Sequence, residues 1–225
     1  MKRSLLFSLL FIHICHADPM QDAFTQVFKQ NFWADQESAS GPGSNLKQTA
    51  VLRYNLELFF ELFEIKTVID AACGDFNWMR EIPYPFEKYI GIDIVPDLIT
   101  RNKAKYGNDT HIFYHKNIVH DLLPKVDVII CRDCLVHLHF NDIKTALRNF
   151  KKSGSKYVLM TTFKKKRPNT EVARYGFWRT LNMELAPFNL PEPILYIDEG
   201  CTEANPDDSF DDKCLGLWRL ADLNI

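Results

Sequence analysis

Five short apolar runs, each rich in β-branched residues, are separated along the middle of this chain by longer polar or mixed stretches. The runs are Thr67-Val68-Ile69-Asp70, Tyr89-Ile90-Gly91-Ile92-Asp93, His111-Ile112-Phe113-Tyr114, Val126 to Cys131, and Tyr157 to Thr161. Each has the length and composition of a buried strand. Between them the period changes. Leu52, Leu56, Phe59, Phe60 and Phe63 recur at helical spacing, and so do Ile143, Ala146, Leu147 and Phe150, with Asn141 expected as the cap of that second helix. A further helix begins at Pro96, where a first turn tolerates proline. After the first strand, Asn77-Trp78-Met79-Arg80 reads as the start of a helix that must stop near Ile82-Pro83-Tyr84-Pro85. Strands alternating with helices for about a hundred residues predict a doubly wound α/β fold on a parallel sheet.

The flanks differ. Phe24, Val27, Phe28 and Phe32-Trp33 mark a short amphipathic piece, followed by the loop Ser38 to Ser44. After the fifth strand, proline and aromatics dominate from Phe177 to Pro193. Two late strands, Ile194 to Ile197 and Leu215 to Trp218, bracket an acidic loop from Glu203 to Asp212. The expected organisation is a leader over 1–17, a helical segment with a covering loop over 18–64, and one α/β domain with a C-terminal elaboration over 65–225. At the extreme N-terminus, Lys2 and Arg3 precede an apolar run from Leu5 to Cys15, and Cys15-His16-Ala17 offers small residues for cleavage after Ala17. This is the layout of a secretory signal peptide, too short to be a comfortable membrane span. It predicts a secreted or periplasmic protein, or a cytosolic one if the segment stays or the protein is delivered into another cell.

A net charge of -2 over 225 residues suggests neither a basic nucleic-acid face nor an acidic tail. Five cysteines would remain after cleavage, an odd number that does not form a disulfide framework, although Cys201 and Cys214 could pair in an oxidising compartment. Cys131-Arg132-Asp133-Cys134 has C-x-x-C spacing without a second pair, so no metal site is expected. Cys73 and Cys131 read as small core residues.

Candidate chemistry gathers at the strand ends. In an open α/β sheet a ligand binds outside the carboxyl ends of the central strands. The turn after the first strand, Ala71-Ala72-Cys73-Gly74-Asp75-Phe76, has one glycine where a pyrophosphate-binding turn wants three. A ligand without phosphates is therefore expected. Asp93 lies about twenty residues on, where a carboxylate either reaches a ribose diol or caps the next helix. Asn117 with Ile118 either meets a base edge and its face or is a polar loop residue beside an apolar one. Asp133 and His137 follow the fourth strand and face the same crevice; they are candidates to orient or deprotonate a nucleophile, against the alternative that His137 is satisfied in the core.

Taken in order, D-A-A-C-G-D-F-N-W-M, Y-I-G-I-D-I-V-P-D-L-I, N-I-V-H-D-L-L-P, D-V-I-I-C-R-D-C-L-V-H-L and Y-V-L-M-T-T-F resemble the class I S-adenosylmethionine-dependent methyltransferases. The likeness is nearest to a subgroup marked by C-G-D-F-x-W-M and C-R-D-x-L-V-H-L. It extends from about Trp33 to the C-terminus through S-G-P-G-S, G-F-W-R-T-L-N and P-F-N-L-P-E-P. The resemblance implies a Rossmann-like, mostly parallel seven-stranded sheet whose last strand is antiparallel. It implies S-adenosylmethionine as cofactor, with Asp70, Gly74 and Asp75 around its methionine part. Ala72 and Phe76 depart from the usual glycine-rich turn but, with Trp78, are expected among the cofactor-binding residues. Asp93 and Ile94 would lie at the ribose, Asn117 and Ile118 at the adenine, and Cys131 and Arg132 beside the sulfonium. Asp133 would border the sulfonium too. From the residues themselves, Asp133 and His137 remain the candidates to act as base or to order a water. Ser40, Gly43 and Arg53 either close over the cofactor or are linker residues and a surface arginine.

The acceptor, a small molecule or a glycan, is expected to meet Thr162, Phe163, Asn169, Trp178, Arg179 and Asn182. The run Lys164 to Arg167 either receives an anionic acceptor or is a solvated loop. A secreted binding module that keeps the fold without turnover is the competing reading. A nicotinamide-dependent oxidoreductase is disfavoured by the missing glycines.

Overall fold

A computed structural model describes residues 18–205 and 208–225. The expected signal segment lies outside the described residues. A seven-stranded sheet forms the centre, built from β1 (Thr67–Ala71), β2 (Lys88–Asp93), β3 (His111–His115), β4 (Val128–Cys131), β5 (Tyr157–Phe163), β6 (Leu195–Asp198) and β9 (Lys213–Arg219), in the order β3-β2-β1-β4-β5-β9-β6. Strands β1 to β5 pair parallel to one another; β9 runs antiparallel to both β5 and β6. A two-stranded ribbon, β7 (Ala204–Asn205) with β8 (Asp208–Ser209), lies within the acidic loop. The expected α/β fold is thus present, with its mostly parallel seven-stranded sheet and antiparallel late strand.

Alternation along the strands divides the core into two layers. Ile69, Ile90, Ile129, Val158 and Trp218 point to one face, where α4 (Phe140–Lys152) adds Ile143, Leu147 and Phe150. Val68, Tyr89, Val128, Leu159 and Leu217 point to the other, where α2 (Ala50–Leu62) adds Leu52, Leu56 and Phe60. Each of these large side chains contributes on the order of 1.5–3 kcal/mol by leaving water. Among the described residues no helix is long and apolar enough to cross a membrane.

Two expectations about helices are corrected. The segment after β1 forms only a 3-10 turn, Met79–Glu81, because Pro83 and Pro85 follow at once and leave no room for an α-helix. Helix α4 starts two residues earlier than expected, at Phe140 with His139 at the cap position, so Asn141 is inside it and not its cap. The exposed N–H of Phe140 is met instead by the Glu171 carboxylate, 3.1 Å away on a distant loop. The crossover helix α3 (Pro96–Tyr106) lies as expected between β2 and β3. Helix α1 (Pro19–Lys29) is the amphipathic N-terminal piece, and Met20 joins the core beside Ile118.

Candidate functional site

A cavity of about 530 Å³ opens at the carboxyl ends of β1, β2 and β4, within the usual range for small-molecule sites. Asp70, Ala72, Gly74, Asp75 and Trp78 form its floor, Asp93, Ile94, Asn117 and Ile118 one side, and Arg132, Asp133 and His137 the other. Twelve of the fourteen residues expected from sequence at the cofactor or in catalysis therefore meet around one space. The two exceptions are corrections. Cys131 is wholly buried as the last residue of β4 and contributes nothing to the wall. Phe76 turns away into an aromatic group, 4.7 Å from Tyr89 and 5.3 Å from both Tyr106 and Phe113.

The turn after β1 shows why one glycine suffices. Gly74 has φ +53°, and a Cβ there would lie 2.1 Å from the Ser40 hydroxyl. The missing side chain makes room for the loop before α2, not for a phosphate. Asp75 completes that dock: its carboxylate accepts from the backbone N–H of Ala39 at 2.8 Å and from the hydroxyls of Ser38 and Ser40. Ser40 and Gly43 consequently close over the cavity, whereas Arg53 turns aside to donate to the Leu46 carbonyl.

Two acids on the floor are buried with no cation within ion-pair distance among the described residues. Asp70 accepts from the Tyr89 hydroxyl at 2.7 Å, and burial pushes its carboxyl up to about 7 against that hydrogen bond. Asp93 accepts from the N–H groups of Gly74 and Val95, at 3.0 and 2.9 Å. Burial still raises it to about 6. Each carboxylate oxygen has capacity for a further donor. Across from them, Asn117 donates to Asp18 at 2.7 Å and accepts from the Val119 N–H. Its amide thus ties the start of α1 to the loop after β3.

The far end of the cavity is charged differently. Lys213 bonds to Asp133 and lies 3.4 Å from Glu199; Arg132 bonds to Glu199 twice and to the Gly43 carbonyl at 2.9 Å. Burial alone would raise the Asp133 carboxyl, but Lys213 and Arg132 hold it below its ordinary value. His137 is neutral at pH 7, because burial pushes its imidazole down to about 4. Its Nδ1 donates to the Phe177 carbonyl at 3.2 Å, and its ring lies 5.0 Å from that of Trp33. Neither member of the expected catalytic pair is therefore a strong base as placed.

The expected acceptor residues are mostly braces. Of the six, only Trp178 reaches the cavity. Arg179 donates to the carbonyls of Leu135 and Leu138, clamping the turn that carries His137. Asn169 and Asn182 bond within their own loop, Thr162 accepts from the Met183 N–H, and Phe163 is in the core. The basic run meets the chain's own acidic loop: Lys165 pairs with Asp208 and Asp211, and Arg167 with Asp208 and Asp212. Cys201 and Cys214 are both free thiols. No metal-binding cluster of His, Cys, Asp or Glu occurs among the described residues. Sequence reasoning missed Met20, Phe24, Val27 and Phe28 of α1, together with Glu203, Phe210 and Lys213. The amphipathic spacing of α1 was the available signal; Glu203 is indistinguishable in sequence from its acidic neighbours.

A family model described as a methyltransferase domain matches residues 45–198. The chain belongs to that methyltransferase-domain family. No curated protein matches the sequence. Among solved structures, the chain is similar to the N-methyltransferase NodS from Bradyrhizobium japonicum WM9 in complex with S-adenosyl-L-homocysteine. Identity is 14%, with 90% of this chain and 98% of that one covered and a TM-score of 0.62. It is also similar to the Burkholderia thailandensis 1,6-didemethyltoxoflavin-N1-methyltransferase, at 14% identity, 92% coverage of each chain and a TM-score of 0.59. Human N-acetylserotonin methyltransferase gives 14% identity, 89% and 65% coverage, and a TM-score of 0.54. At these identities the likeness establishes the methyltransferase fold, and the site must be argued from this chain's own residues.

Proposed function

We propose that this protein is an S-adenosylmethionine-dependent methyltransferase acting on a small-molecule or glycan acceptor. The observation that carries the reading is the pair of cation-free carboxylates, Asp70 and Asp93, on the floor of a cavity closed by Ser40 and Gly43. Three acids around the turn after β1 (Asp70, Asp75 and Asp93) would repel a pyrophosphate. They suit a ligand that brings hydroxyls and positive charge. Asp93 would accept from ribose hydroxyls, Asp70 would face the cationic amino-acid tail, and Ile94, Ile118, Leu98 and Met20 supply apolar walls for a base. When bound, S-adenosylmethionine supplies a methyl group on a sulfonium for in-line displacement. The chain's part is to align the acceptor, exclude water and hold fixed charge nearby.

Export with cleavage after Ala17 belongs to the same reading. Asp18 caps α1, accepting from the N–H of Met20 at 3.0 Å, so cleavage there would leave the helix and its cap whole. Calorimetry with S-adenosylmethionine, S-adenosylhomocysteine and NAD tests the cofactor. Binding of the first two, with labelled methyl transfer into a metabolite extract, is the expected result. Binding without transfer would favour a non-catalytic module, and binding of NAD alone would sink the proposal. N-terminal sequencing of protein recovered outside the cytosol tests export.

A further inference from the structure

The end of the cavity beyond β4 is built from aromatic rings and carboxylates. Trp33 lies against His137, and Trp178 lies 4.7 Å from Phe210, all four on the wall. Between them Gly43 brings two acids to one place: a Cβ on it would lie 3.5 Å from Asp133 Oδ2 and 3.8 Å from both oxygens of Glu203. Asp133 Oδ1 is buried with no hydrogen-bond partner. No cation among the described residues lies within ion-pair distance of Glu203, and the carboxylates Asp133, Glu199 and Glu203 face two cations, Arg132 and Lys213. The group as a whole carries one surplus negative charge.

We infer that the methyl acceptor is an amine, carried on a flat body that lies among Trp33, Trp178 and Phe210 and presenting its nitrogen to Asp133 and Glu203. This rests on the cofactor reading above and adds the class of acceptor. An N–H donor finds acceptors in Asp133 Oδ2 and the Glu203 carboxylate, which border the space beside Gly43. A cationic nitrogen is attracted both by the surplus charge and by the ring faces. An anionic acceptor would meet repulsion. A hydroxyl would need a strong base, and the groups at hand are weak ones: the Asp133 carboxylate clamped by cations, the Glu203 carboxylate, and an imidazole whose proton affinity burial lowers. An amine needs only to shed one proton. The ammonium gives that proton through Glu203 to water. The freed lone pair then forms the C–N bond as the C–S bond breaks, and sulfur keeps the bonding pair as a neutral thioether. The product leaves as a methylammonium.

The test is calorimetry on the full chain with S-adenosylhomocysteine bound, using two matched pairs: 2-phenylethylamine with 2-phenylethanol, and glucosamine with glucose. At least one amine should bind about tenfold more tightly than its hydroxyl partner. The pair that responds tells an aromatic body from a sugar. Glu203→Gln should remove most of that preference while leaving S-adenosylhomocysteine affinity within about twofold. Intact S-adenosylhomocysteine binding with no preference for either amine, or with the hydroxyl member preferred, overturns the inference alone. Failure to bind S-adenosylhomocysteine overturns the cofactor reading and the inference together.

Discussion

The two ends of the cavity solve opposite electrostatic problems. At the floor, Asp70 and Asp93 are buried with no cation within ion-pair distance among the described residues, and burial raises both carboxyls, to about 7 and about 6. Beyond β4, Asp133 is half-buried, and Lys213 and Arg132 hold it below the ordinary carboxylate value. Charge at the floor is incomplete until a ligand arrives, whereas charge at the far end is largely balanced by the fold itself. Substitutions at the floor should therefore register mainly in binding, and substitutions of the ion-paired groups at the far end mainly in stability.

The largest effect is expected from Lys213→Met. It leaves Asp133 and Glu199 with Arg132 as their one cation within ion-pair distance among the described residues, and removing one partner of a buried ion pair typically costs about 3–5 kcal/mol. Chemical denaturation measures it. A loss below about 1 kcal/mol would show that the far end is not held by its own charges.

Asp93→Ala probes the other end. Loss of charge-assisted hydrogen bonds to a ligand should weaken S-adenosylhomocysteine binding by about 1.5–3 kcal/mol. The fold should lose less, since the removed acid is itself poorly solvated, although its bonds to Gly74 and Val95 go with it. Calorimetry beside a thermal melt separates the two. Unchanged affinity in a folded variant would reject the ribose role.

Acidity should also divide the ends. For Asp70 and Asp93 the folded protein binds protons more tightly than the unfolded chain. Their contribution to ligand-free stability is thus present in full below the ordinary carboxylate value and is lost as pH rises through about 6 to 7. Asp133 works in reverse: its contribution is present above the ordinary carboxylate value and is lost as pH falls through its lowered one. A donor-rich, cationic ligand needs the floor acids ionised, so affinity should rise about tenfold between pH 6 and pH 8, with proton release. Calorimetry in buffers of different ionisation enthalpy reads both; a flat profile would mean the acids are already ionised without ligand.

The same division marks what could be read from sequence. The floor and the β4 side of the far end were legible because strand tips are local features: a run ending at Asp70, another ending at Asp93 and a third leading to Arg132 and Asp133 converge as soon as the sheet is parallel. Strand order and the antiparallel β9 came with the family likeness. The rest of the far end, Trp178 apart, was not legible, because its parts come from α1, the post-β5 loops and the β7–β9 region, joined only by tertiary packing. Arg179 and Asn182 looked like acceptor residues in sequence, yet their hydrogen bonds are spent on backbone carbonyls and loop turns. Phe76 and Cys131 failed for a simpler reason, since side chains at adjacent positions of a turn or strand point to opposite sides.

The smallest expected effect lies where the two ends share a cover. Asp18 holds α1 in two ways, capping its first turn with one carboxylate oxygen and accepting from Asn117 with the other, at 2.7 Å. Through α1, Met20 reaches the floor, and Phe24 meets His137 at the far end. Asp18→Ala should cost about 0.5–2 kcal/mol of helix stability. Since α1 walls both ends, faster amide exchange over 19–29 should accompany a modest loss of both cofactor and acceptor affinity. If only one of the two affinities falls, α1 belongs to that end alone, and the cover is not common to both.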